Sequence, residues 1–99
     1  MSSYSISAFR EAVGTPFRIP LGDQEVTLQL VNVSEQAVSP NVEQFSLLLQ
    51  GPLAVFLPQQ TYRIVHEQLG ELELFMVPVG QAADGFRYEI VFNLFQGNR

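Results

Sequence analysis

The chain has no cysteine, no lysine, one histidine and only 15% charged residues in a length of 99. Each shortage excludes something. Without cysteine there is no disulfide, no thiolate metal site and no thiol nucleophile, so the fold must stand on packing alone. Without lysine the cations reduce to Arg10, Arg18, Arg63, Arg87 and Arg99, scattered along the chain against a net charge of −5. Binding a phosphate backbone requires clustered cations that displace condensed counterions, and an anionic membrane surface asks for the same. Neither nucleic acid nor a membrane is therefore an expected partner. No apolar run approaches the ~18 residues of a spanning helix. The start, Met-Ser-Ser-Tyr-Ser-Ile-Ser, lacks the basic stretch and long apolar core of a secretory signal. Cytoplasmic location is the expectation, with export inside a larger assembly left open.

What is present is a hydrophobic fraction of 46%, outside the disordered regime. Residues 1–99 have room for one domain and no second core. A chain of this size buries about 60 to 70% of its unfolded surface and needs neither metal nor disulfide to fold.

The patterning is mostly that of strands, in which side chains change face at every residue. A short helix is expected over 5–13, with Ser5 or Ser7 at its start, Ile6, Phe9 and Val13 on one face and Gly14 at its end. A helix so short must dock through that face, and plugging one end of a sheet or barrel is its expected task. Strands are expected over about 15–20, 25–33, 43–50, 61–67, 71–79 and 86–95. Pro16 and Pro20 argue for an edge position for the first of them. Ser34 to Asn41 reads as a polar loop, and Leu53 to Leu57, between Pro52 and Pro58, as a packed connector. Six strands with short connections predict a mainly β fold, an antiparallel meander curled into a small barrel or roll, because one short helix cannot cover a flat sheet. The stretch Leu69 to Gly80 is its expected centre, with Leu72, Leu74 and Met76 facing the core.

No constellation of catalytic chemistry stands out. His66 with Glu67, Glu71 and Glu73 has the residue types of a metal or acid–base site, yet one imidazole is a poor metal set and the acids fit the wet face of a strand. Glu71, Glu73 and Glu89 have the residue types of a glycosidase carboxylate pair, but strand alternation already explains their spacing. Ser34, Ser39 and Ser46 lack the glycines of a nucleophile elbow, and no glycine cluster makes a phosphate-cradling loop. The expectation is a non-enzymatic protein without cofactor or metal.

The remaining signal is a second apolar face. Val31, Val33, Val65, Phe75, Val77 and Val91 all fall opposite the core positions of their strands. Either the helix and loops cover this face, or it is an exposed patch used for self-association or for a protein partner. Phe75 itself is expected to be mostly buried. An alternative is a small-ligand or carbohydrate binder with Tyr62, Tyr88 and nearby acids around a barrel mouth.

In order along the chain, the segments Phe45-Ser46-Leu47-Leu48-Leu49-Gln50-Gly51-Pro52, Leu57-Pro58-Gln59-Gln60-Thr61-Tyr62-Arg63, His66-Glu67-Gln68-Leu69-Gly70, Leu74-Phe75-Met76-Val77-Pro78-Val79-Gly80 and Tyr88-Glu89-Ile90-Val91-Phe92-Asn93 resemble a family of small, uncharacterised bacterial domains of unknown function. The resemblance runs from about Phe9 to Asn93 and implies no activity and no catalytic residue. The resemblance further implies a genomic neighbourhood of phage-tail-collar-like proteins, and with it a structural, chaperone or adaptor part in a tail-like assembly.

Overall fold

Alternating apolar residues give each strand one side that must leave water, and six such strands satisfy this by closing on themselves. The computed structural model describes residues 6–39 and 42–95. Its elements are α1 (Ile6–Glu11), β1 (Pro16–Leu21), β2 (Gln24–Ser39), β3 (Val42–Gly51), β4 (Gln60–His66), β5 (Gly70–Ala82) and β6 (Gly85–Phe95). The strands form a closed antiparallel barrel in the order β1-β2-β3-β6-β5-β4. Two hairpin-linked runs, β1-β2-β3 and β4-β5-β6, are thus laid edge to edge, and the connector after Gly51 crosses from one run to the other. Closure removes the open edges that a flat sheet would present.

The core is the inward row of every strand: Phe17 and Ile19, Val26, Leu28 and Leu30, Phe45, Leu47 and Leu49, Tyr62 and Ile64, Leu72, Leu74 and Met76, Tyr88, Ile90 and Phe92. Helix α1 caps one end through Phe9, whose ring lies 6.0 Å from Phe45 and 5.4 Å from Phe92. Phe45 and Phe92, on neighbouring strands, are stacked at 4.7 Å. The helix stops where Gly14 adopts φ +88°, a conformation that penalises any side chain, and its N–H is donated to the Leu30 carbonyl at 2.8 Å. Ser5, one of the two expected caps, lies outside the described residues.

Two departures from the sequence pattern have physical causes. The segment from Ser34 to Ser39, expected as loop, continues β2 because it is paired with β3 from Ser34–Ser46 through Ser39–Val42. Polar residues are compatible with a strand whose backbone is satisfied by a neighbour; Pro40 and Asn41 lie outside the described residues. The second departure is a β-bulge at Val31, where Leu30 pairs with Leu49 but Asn32 with Leu48. One extra residue reverses the phase of everything after it.

Barrel closure rests on a narrow seam. β1 is paired with β2 along its whole length but with β4 only at Arg18–Val65. Pro16 and Pro20 flank that position and have no N–H to donate, which limits how far β1 can be zipped to a neighbour.

Candidate functional site

The residues of the expected second face do not form one surface. Val33 is 7% exposed and belongs to the core, because the bulge at Val31 turns it inward. Val31 is itself the bulged residue, exposed on β2, while Val65 is half-buried on β4 at the seam with β1, paired on its other side with Glu71 of β5. The other three lie on the neighbouring strands β5 and β6, near the end of the ladder that joins them. Val77 pairs with Glu89, and two residues further along each strand stand Phe75 on β5 and Val91 on β6.

Phe75 is 52% exposed, Val91 47% and Val79, at a register shift in β5, 50%. The expectation that Phe75 is mostly buried is therefore corrected. Leu72, Leu74 and Met76 take the inward positions of β5, strict alternation sends Phe75 outward, and α1 is engaged at the barrel end through Phe9. This outward face is acidic, carrying Glu71, Glu73 and Glu89 with Arg63 bound to Glu71 at 2.8 Å. A second apolar cluster lies in the connector, where exposed Phe56 meets Phe86 edge-on at 5.2 Å and Leu53 is exposed.

Tyr62 and Tyr88 do not ring a mouth. Both are buried, and both tie down the connector: the Tyr88 hydroxyl accepts the Leu57 N–H at 3.0 Å, and the Tyr62 hydroxyl donates to the Pro58 carbonyl. Burial raises the pKa of each phenol above its usual value, so neither ionises near neutrality. A shallow cleft of about 240 Å³ lies elsewhere, lined by Thr27, Gln29, Gln50, Gly51, Pro52 and Asp84. Beside it Arg87 holds Asp84 at 3.2 Å through Nη2, which keeps that carboxyl below its usual pKa. Its Nη1 is buried with no hydrogen-bond partner among the described residues.

His66 is separated from the acids with which the sequence associates it. It is 3% exposed and faces inward at the end of β4, whereas Glu71 and Glu73 face solvent from β5. Its ring packs on Phe17 at 4.5 Å. Nδ1 accepts the N–H groups of Gln68 and Leu69 at 3.0 and 3.1 Å, and Nε2 lies 2.7 Å from Thr15 Oγ1. The Thr15 hydroxyl donates its proton to the Ala12 carbonyl, so it must accept from Nε2. These contacts assign the neutral imidazole with its proton on Nε2. Burial lowers its pKa below the ordinary 6.5; Glu67 opposes the shift and Arg18 adds to it. The sequence showed a histidine on the Tyr62 and Ile64 face, but gave no sign of Thr15 as its partner.

Among the described residues no three metal-ligand side chains converge, and no helix is long and apolar enough to cross a membrane. One family model, described as a domain of unknown function (DUF6916), matches residues 4–92. No curated protein and no solved structure matches the chain.

Proposed function

We propose that this chain, which belongs to the DUF6916 family, is a non-enzymatic protein-interaction or assembly module whose contact surface is the outward face of β5 and β6 around Phe75 and Val91. The observation that carries this reading is the grouping of half-exposed Phe75, Val79 and Val91 beside Val77 on adjoining strands. Single exposed apolar residues are ordinary on a protein surface, but an aromatic clustered with valines inside a polar surround has the anatomy of a contact core. The rim of Glu71, Glu73 and Glu89 favours a partner that brings arginine or lysine around an apolar centre. A structural or adaptor part in a bacterial, phage-tail-like assembly put together in the cytoplasm suits such a module.

The test is the double substitution Phe75→Thr with Val91→Thr. Threonine keeps strand propensity while removing the apolar surface, so stability should change by about 1 kcal/mol or less. Association, read by light scattering across concentration and by co-purification from the native host, should be lost. A wild-type chain that stays monomeric and retains no protein that the double variant loses refutes the proposal.

The small-ligand reading has one supporting observation, the cleft at Gln29, Gln50 and Asp84. Its amides, hydroxyl and carboxylate suit a neutral polyhydroxyl ligand. Thermal shifts with a panel of sugars check it, and silence across the panel disposes of it.

A further inference from the structure

We infer that His66 is a proton-operated latch: its protonation opens the β1–β4 seam and undocks α1 from the end of the barrel. The inference rests on which atoms are already committed. Nδ1 accepts two backbone N–H groups from the β4–β5 turn, Gln68 and Leu69. Nε2 donates to Thr15, whose hydroxyl donates to Ala12 at the end of α1. One ring therefore ties the turn to the helix across a seam that has a single strand pair, Arg18–Val65. A proton added to Nδ1 turns its acceptor into a donor facing two donors, and no rotation of the ring supplies an acceptor to both sides. The turn must move away, or the ring must leave its place against Phe17. If the ring leaves, its bond to Thr15 goes with it; if the turn leaves, the turn loses its tie through the ring to Thr15 and Ala12.

The surrounding charges do not rescue the imidazolium. Glu67 in the turn favours it, but Arg18 on β1 opposes it and the loss of solvent is the larger effect. Glu71, at the start of β5, is engaged by Arg63 on the outward face. On α1, Arg10 is bound to Glu35 and Glu11 is exposed. The sign follows from these facts. The closed form holds a neutral ring, and the open form takes up a proton with an ordinary histidine pKa of 6.5. The closed form is fully favoured above that value and loses ground as pH falls below it, until the closed form itself protonates. Opening exposes Phe45 and Phe92, the rings that Phe9 covers.

Amide hydrogen exchange of the full chain from pH 8 to pH 4.5, corrected for intrinsic rates, tests the latch. Protection at Ala12, Val13, Gly14, Gln68 and Leu69 should fall together below pH 6.5, by up to about tenfold per pH unit as expected for one linked proton. Leu47 and Ile90, in the paired centre of β3 and β6, should keep theirs. His66→Gln should abolish the slope. Thr15→Val, which cuts only the link to the helix, should leave a slope at Gln68 and Leu69 and remove it at Ala12, Val13 and Gly14. The inference is overturned if the wild-type chain shows no slope, if the slope survives in His66→Gln, or if Leu47 and Ile90 lose protection in step with the helix. Should His66→Gln fail to fold, a slope retained at α1 in Thr15→Val is the overturning result.

Discussion

Tyr88→Phe deletes one oxygen from a fully buried residue and measures how the connector between the two halves of the barrel is held. Tyr88 has no exposed surface, and Leu57, whose N–H it accepts at 3.0 Å, is 2% exposed. The phenylalanine ring fills the same space apart from that oxygen, so little of the effect comes from a cavity. What is lost is the acceptor for a backbone N–H that water does not reach. A buried donor left without a partner costs about 1–3 kcal/mol. For a domain near 100 residues each kcal/mol is worth about 4–8 °C in melting temperature, so a cost of about 2 kcal/mol lowers it by roughly 10 °C. Thermal unfolding by circular dichroism with urea titration measures this directly. Tyr62→Phe is the internal comparison. Its hydroxyl donates to the carbonyl of Pro58, an exposed residue, and water can replace the lost donor. Its cost should stay near the bottom of the usual hydrogen-bond range, about 0.5–1 kcal/mol. A Tyr88→Phe chain melting within about 2 °C of wild type, or one more stable than Tyr62→Phe, refutes the reasoning.

Two further substitutions examine the ends of the barrel. Phe9→Ala removes the ring that covers Phe45 and Phe92, and should cost about 3–5 kcal/mol in urea unfolding while leaving the β spectrum of the folded chain intact. A loss under about 1 kcal/mol would mean that α1 is not the plug that the ring contacts indicate. At Gly85 an added Cβ would stand 2.3 Å from the Gly51 carbonyl oxygen, whereas at Gly80 it would meet nothing within 4 Å. Gly85→Ala should therefore destabilise by about 1–3 kcal/mol and Gly80→Ala by about 0.5 kcal/mol or less. Equal melting temperatures for the two variants would contradict the close approach of the β5–β6 hairpin to the end of β3.

Much of this architecture was legible in local pattern. Period-two alternation placed Leu72, Leu74 and Met76 on the core side of β5, and Phe17 with Ile19 on that of β1, because the face a strand residue takes follows from its neighbours alone. The scarcity of helix for so many strands pointed to a closed barrel for an equally simple reason: exposed faces and edges had no other cover. Alternation fails where one residue is inserted. Nothing in Leu30-Val31-Asn32-Val33 announces a bulge, since the bulge is defined by the register of β3, and so Val33 was assigned to the wrong face. The same limit governed Phe75. Its outward direction was local, whereas whether anything covered it depended on where α1 docked.

His66 marks the division most sharply. The chain alone supplied a histidine on an inward phase at the end of a strand, followed by an acid, and that combination is chemically mute. Only closure of the barrel carried Thr15 to its ring across 51 positions of sequence, while Gln68 and Leu69 meet its other nitrogen inside the local β4–β5 turn. Faces, turns and the core are set by interactions between near neighbours, which the sequence carries. The Thr15 partner of a buried ring and the placing of Phe75 on a strand beside that of Val91 are set by distant segments meeting, and only the tertiary structure decides which segments meet.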